Sequence, residues 1–524
     1  MIVCLLFSIL SAQNLEKAKI EITILHTNDH HGSLMPFDLL DQKQVGGMAA
    51  RMTLIKEIQK EAAQKKGHVL ILDCGDINTG NPTSDMLQAE PDVLLMNKMG
   101  YHAMAVGNHE FDLKLEALLS QQKKAHFPYL SANAVYQKTG QPIFQQKLVL
   151  SLGDMKVGIF GITPYETPYI STCGRDPEIV FLKPEEVIPG VLESLEKECD
   201  FIIAMLHIEH TQAVTIAQRF PKINLVIGGH THLPIIHPLQ IGKTLLAEAG
   251  SYGIMVGRFD LSFEDRQLQD WKYKMIGINL SKPILAPSGK IGCLPFERSL
   301  EPDPEVIEFL KPYLGETEDR LSRSIGIALD NIARNSATLE LYSSSLGNLI
   351  CDAIRQETNV DIALQNVGGI RSDIPKGTIT PRHILQVLPF ANSIFLYNIK
   401  GKELRKIFEC MCSGKIGPKG MLEASGMEVQ IQGNQLTSIA IEGKPLIEEK
   451  IYRVAINSFI AKGGDGYDIF SQFPSVDTGL LISNIVQKYI ENQSSLSPKH
   501  EKRVVWQTPE TPGNKEVEKK QGIK

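Results

Sequence analysis

Five times before residue 240, a short apolar run gives way at once to histidine, aspartate, asparagine or glycine. Ile22-Thr23-Ile24-Leu25 leads into His26-Thr27-Asn28-Asp29-His30-His31, and Val69-Leu70-Ile71-Leu72 into Asp73-Cys74-Gly75-Asp76. Ala103 to Val106 precedes Gly107-Asn108-His109-Glu110-Phe111-Asp112, Phe201 to Leu206 precedes His207, and Leu225 to Ile227 precedes Gly228-Gly229-His230-Thr231-His232. Such runs are too short for core helices and read as buried strands, while the spacing from Met48 to Gln64 predicts a helix between the first two. Strands alternating with helices make a layered α/β domain, in which ligands gather beyond the carboxyl ends of the strands. Five polar strand ends therefore point at one site.

The histidines sharpen this placement. Of 14, only His383 and His500 lie beyond residue 240, so chemistry that needs imidazole belongs to the first half of the chain. A length of 524 residues with 43% hydrophobic content predicts more than one domain. The reading places a secretory signal over 1–19, on the apolar run Ile2 to Leu10, and hence export to the periplasm or medium. The catalytic domain is expected over 20–300, a linker helix over 301–324 on the spacing of Val306, Ile307, Phe309, Leu310 and Leu314, a second α/β domain over 325–506, and a disordered tail over 507–524. No later segment is apolar enough to span a membrane. A net charge of -6 excludes general attraction to nucleic-acid polymers, so nucleotide chemistry here concerns small molecules. The eight cysteines show neither zinc-knuckle nor redox-pair spacing and read mainly as small buried residues.

Carboxylate, imidazole and amide donors at five strand ends suit two divalent ions, which clamp an in-line displacement at phosphorus. One carboxylate must bridge them, and an aspartate on a tight turn such as Gly75-Asp76 serves. The motif order D-x-H, GD, GNHE, H, GHTH resembles that of the calcineurin-like metallophosphoesterases, and more narrowly the 5'-nucleotidase and UDP-sugar hydrolase family, over about residues 20 to 506. The resemblance implies a four-layer α/β/β/α metallophosphoesterase domain joined by a helix to a C-terminal α/β substrate-binding domain. It implies one metal on Asp29, His31, Asp76 and His232 and a second on Asp76, Asn108, His207 and His230, with zinc or manganese suited to mixed N/O donors. His109 would meet the phosphate and Asp112 would orient it. His26, His30, His210 and His237 are left outside the ligand set, and Glu110 is expected to orient its neighbours by hydrogen bonds.

Three stretches of the second half also resemble the family. Asn366-Val367-Gly368-Gly369-Ile370-Arg371 is similar to its phosphate loop, and Leu388-Pro389-Phe390-Ala391-Asn392 to the loop bearing one aromatic of a base sandwich. Asn457 to Tyr467 is similar to the loop with the other aromatic, Phe459, and an aspartate for the ribose hydroxyls, Asp465. Two departures stand out: Val367 replaces a glycine, and no arginine lies between Arg334 and Leu346-Gly347-Asn348. The implied activity is metal-dependent hydrolysis of nucleoside 5'-monophosphates, with UDP-sugars as further substrates. The alternatives are a 2',3'-cyclic-nucleotide phosphodiesterase/3'-nucleotidase and a catalytically silent nucleotide-binding surface protein. Asp112 favours the 5'-nucleotidase side, because the cyclic-nucleotide relatives tend to carry asparagine there.

Overall fold

The computed structural model describes residues 19–507, apart from 40–41, 172, 174–175, 281–283, 286–290, 294–298, 335–342, 391 and 415. The expected leader and tail therefore lie outside the described residues except for Lys19 and Gln507, which close strands. Leu339 to Tyr342, part of the segment without arginine, is likewise outside.

Two six-stranded sheets face each other in the first half of the chain. One runs in the order Gln267–Gly277, Met255–Glu264, Lys19–Thr27, His68–Asp73, Ala103–Ala105, Tyr129–Leu130. The other runs Leu239–Ile241, Thr244–Ala247, Leu225–Gly229, Phe201–His207, Met155–Ile162, Lys147–Leu152. Leu70, Leu72 and Ala103 of the first meet Ile159, Ile203, Met205 and Ile227 of the second in one buried cluster. The outer faces are covered by helices, Met48–Gln64 and Glu90–Met99 on one side and Pro184–Glu196 and His210–Arg219 on the other. Burial on both faces explains why these strands read as continuous apolar runs. The result is the expected α/β/β/α arrangement.

Register carries the polar strand ends to one level. Thr27 pairs with Asp73 and Asp73 with Met104 in parallel ladders of the first sheet, and His207 pairs with Gly229 in the second. The chain runs the same way in the three strands of the first sheet and in the two of the second, and the polar ends of the two sets come together.

The helix Pro304–Ser322 follows, with Asp303 as its cap: the carboxylate accepts from Glu305 N at 3.0 Å and Val306 N at 3.2 Å. Val306 and Leu310 are buried in the core beneath the first sheet's helices. Beyond it, a five-stranded sheet runs Leu422–Ser425, Ile362–Asn366, Ile451–Asn457, Ser393–Lys400, Ser475–Leu481. Ser345–Thr358 and Ile482–Gln493 pack on one face and Gly401–Cys412 on the other. Arg382 of this half reaches back to Glu318 of the helix at 2.6 Å and to Thr83 at 3.5 Å. The six cysteines whose state is described are all free, and Cys74, Cys351 and Cys412 are buried as expected. Among the described residues, no helix is long and apolar enough to cross a membrane.

Candidate active site

The strand ends turn sharply into the site. Asp29, His31, Asp76, His230 and His232 all have positive φ, from 49° to 80°, a region that costs non-glycine residues on the order of 1–3 kcal/mol each. Neighbouring turns hold them there: Asp29 N donates to Gly75 O at 2.9 Å, His31 N to Asp76 O at 3.0 Å, and Tyr252 N to Asp29 O at 2.7 Å. Strain at five clustered polar residues indicates a site whose geometry matters more than its local stability.

Their ligand atoms converge in three groups, each within 4.8 Å: Asp29, His31 and His232; His31, Asp76 and His109; Asp76, His207 and His230. Carbonyls fix two of the imidazoles. Thr79 O lies 2.7 Å from His31 Nδ1 and Cys74 O lies 2.6 Å from His207 Nδ1, so each Nδ1 keeps the proton and each Nε2 faces the centre with a lone pair. His207 Nε2 is 3.0 Å from Asp76 Oδ2 without a well-directed hydrogen bond, and Asn108 Oδ1 is buried with no partner in the protein. Buried donors and acceptors are almost always satisfied, so these atoms are placed for something else. His31 Nε2 faces His232 Nε2 at 3.1 Å with Asp29 Oδ1 3.3 Å from the latter. Nitrogen and oxygen lone pairs aimed at shared points, with bridging carboxylates between them, fit divalent cations.

The charge balance supports this. Burial works to raise the Asp76 carboxyl, but the imidazoles of His207 and His109 outweigh it and hold the group well below the usual range. Burial also opposes charge on His207, yet the facing Asp76 and the nearby Asp29 raise its pKa, so they draw positive charge, a proton or in its place a cation, to Nε2. Carboxylates this strongly in favour of positive charge are the electrostatic counterpart of the unpartnered lone pairs.

His109 stands apart from the other imidazoles. Its Nδ1 is 2.6 Å from Asp112 Oδ2, its backbone N donates to Asp76 Oδ1 at 2.8 Å, and its ring stacks on Phe390 of the second half at 5.7 Å and 18°. Burial disfavours its charge, but Asp76 and Asp112 together raise its pKa. Glu110 accepts from Gly107 N at 2.7 Å, Ile77 N at 2.9 Å and Asp76 N at 3.0 Å, tying two turns together, as its expected orienting part requires. Burial pushes its carboxyl up to about 7.

His30 is adjacent to His31 but points away, into a buried chain with Arg51 at 3.0 Å and Asp92 at 3.1 Å. His26 packs against Phe259 and Tyr273, each ring centre 6.0 Å away, and burial lowers its pKa to about 3. Two supporting residues were not singled out in the sequence. Glu248 accepts from Thr231 Oγ1 and Leu233 N, both at 2.8 Å, and so clamps the turn bearing His230 and His232. Asn28 donates to Asp29 Oδ2 at 2.6 Å and accepts from Ala249 N at 2.8 Å. An acidic residue ending the apolar run Thr244–Ala247 was the available signal for Glu248.

A cleft between the two halves is lined on one side by Asp76, Asn108, His109, Asp112, His230 and His232. Facing them are Asn366, Gly368, Gly369, Arg371, Phe390, Asn392, Phe459 and Asp465, all eight expected from the sequence. Asn366 Nδ2 donates to Asp465 Oδ2 at 2.9 Å, and Asn366 Oδ1 accepts from Asn457 Nδ2 at 2.8 Å, so the phosphate-loop and ribose-loop candidates are braced together. Asn392 Oδ1 accepts from Ser458 Oγ at 3.1 Å. A side chain at Gly369 would crowd Gln365 Nε2 and Asn366 Oδ1, which are hydrogen-bonded to each other at 3.1 Å. The Arg371 guanidinium lies over the Phe390 ring, 5.8 Å from its centre.

Residues 22–234 match the calcineurin-like phosphoesterase family, and residues 324–472 the 5'-nucleotidase C-terminal domain. Protein UshA of Yersinia enterocolitica is 32% identical over 508 residues, covering 91% of this chain and 92% of that protein. A 5'-nucleotidase of Vibrio cholerae is 32% identical over 510 residues, covering 91% of each. The crystal structure of a 5'-nucleotidase precursor from Thermus thermophilus superposes with a TM-score of 0.80 at 27% identity, covering 94% of this chain and 100% of that one. The chain belongs to the 5'-nucleotidase family, with a calcineurin-like phosphoesterase domain ahead of a 5'-nucleotidase C-terminal domain, and is a metal-dependent phosphohydrolase.

Proposed function

We propose that the protein hydrolyses nucleoside 5'-monophosphates to nucleoside and phosphate, with UDP-sugars as secondary substrates. The observation that carries this reading is that the metal-binding groups and the nucleotide-loop residues line one cleft. One ion is assigned to Asp29, His31, Asp76 and His232, and the other to Asp76, Asn108, His207 and His230. Zinc or manganese suits this mixture of imidazole, carboxylate and amide. When bound, such a pair makes water nucleophilic near neutral pH and polarises the phosphoryl oxygens.

The chain's own residues do the rest. Asp76 and Asp112 favour the protonated form of His109, whose Nε2–H donates to a phosphoryl oxygen as negative charge develops there. Arg371 brings a second fixed charge from the facing domain. Phe390 and Phe459 are assigned to the base, where stacking contributes ~1–3 kcal/mol per ring without reading its edges, so the enzyme accepts several bases. Asp465, held by Asn366, is assigned to the ribose hydroxyls. Export to the periplasm or medium rests on the apolar run Ile2 to Leu10.

Phosphate release from AMP, UDP-glucose and 2',3'-cyclic AMP, each with and without chelator, tests the reading. The expected result is fastest release from AMP, abolished by chelator and restored by zinc or manganese. Preference for the cyclic nucleotide would make the enzyme a phosphodiesterase, and no release from any of the three would make it a silent binder.

A further inference from the structure

The segment ahead of Leu346-Gly347-Asn348 offers the substrate no cation from its described residues. Ser344 N and Oγ donate to the buried Glu423 carboxylate at 3.0 and 2.7 Å, and a side chain at Gly347 would strike that carboxyl at 2.3 Å. The first turn of the helix Ser345–Thr358 is thus filled by the protein's own anion. Arg334 is taken up elsewhere: its backbone N donates to Asp373 Oδ1 at 2.8 Å and its guanidinium lies 3.9 Å from the same oxygen.

The cleft nevertheless holds a second cation. Among its described lining residues, Arg371 and Lys419 are the lysines and arginines. Arg371 lies over Phe390, which stacks on His109, so its charge serves the His109 side. Lys419 serves the other: it lines the cleft with Asp465, which packs against the adjacent Gly420, and with His230 of the facing half. The backbone beneath Lys419 is fixed. Tyr467 Oη donates to Gly420 O at 2.9 Å, Val367 N donates to Met421 O at 2.8 Å, and a side chain at Gly368 would meet Lys419 O at 2.9 Å. Among the described residues Lys419 makes no ion pair, although Asp465 lines the same cleft.

We propose that Lys419 binds the substrate phosphate between the ribose-side Asp465 and the metal-side His230, supplying the positive charge that the segment before Leu346-Gly347-Asn348 lacks. This rests on the 5'-nucleotide reading for its orientation, since that reading puts ribose at Asp465 and phosphate at the metals. An ammonium on a flexible stem suits the position, because it can follow the phosphate as a point charge while the backbone turn stays fixed.

The test uses the metal-loaded full chain and inorganic phosphate as the probe, measured by calorimetry so that turnover is not required. Lys419→Met is expected to weaken phosphate binding about tenfold and to raise KM for AMP similarly, the size of one charge-assisted contact. Lys419→Arg should come within about threefold of wild type, and the inhibition constant of adenosine, which has no phosphate, should stay put in both variants. Unchanged phosphate affinity in Lys419→Met would overturn the proposal, as would a parallel loss of adenosine binding, the sign of a distorted loop. If the wild type releases no phosphate from AMP, the nucleotide reading falls, and the phosphate affinities still decide the case of Lys419.

Discussion

Gly107 shows how narrowly single residues are fixed around the candidate metal ligands. A β-carbon there would come 2.2 Å from Asp76 Oδ1 and 2.8 Å from His207 Cε1, so any side chain must push aside the carboxylate common to two of the three ligand groups. Gly107→Ala is therefore predicted to lower kcat/KM at least about a hundredfold, the order expected of a ~1 Å misplacement, and to reduce the ions bound per chain. Wild-type activity in that variant would show that Asp76 does not need its observed position. The polar residues themselves were legible in the sequence because each ends an apolar run. Asn28 and Glu248 were harder to see, since they act on backbone turns and on neighbours more than 200 and 15 residues away respectively, a relation no local pattern records. Lys419, in a run of Gly, Pro and Lys, looks like any solvated loop lysine until the cleft is assembled.

Elements were legible where burial on both faces wrote a continuous apolar run, as in Phe201–His207, or where helical spacing was regular, as in Met48–Gln64. Pairing was not. The strand Val504–Gln507 lies parallel to Met427–Gln432, with Val429 opposite Val504, and nothing in either segment names the other. The same holds for His30 and His31: in the sequence they are equivalent neighbours, yet His31, at positive φ, joins the cluster of candidate ligands while His30 pairs with Arg51 and Asp92. The register that sets Thr27, Asp73 and Met104 side by side turns separate motifs into a site. Motif order could imply that register only through resemblance to a known family.

At the scale of the whole molecule, the candidate metal ligands and the proposed nucleotide loops belong to different halves and line one cleft, so the proposed catalysis depends on how the halves meet. The helix Pro304–Ser322 joins them, and Arg382 links Thr83 of the first half to Glu318 of that helix. We expect rotation about this region to admit substrate and release product, a motion that sets turnover in many enzymes with closing domains. The double variant Thr83→Cys, Arg382→Cys, joined by a cleavable crosslinker, should lose turnover about tenfold or more, with recovery on cleavage; full activity in the joined protein would exclude the motion. The central claim, that Asp76 holds two ions which act on phosphate esters, is tested most directly by counting bound divalent ions per chain alongside phosphate release from AMP, in wild type and Asp76→Asn. Two ions and turnover are expected in the wild type, and in the variant fewer than two ions with roughly a thousandfold less phosphate, the order lost when a key electrostatic group is removed. Two ions without turnover in the wild type, or an undiminished variant, would contradict it.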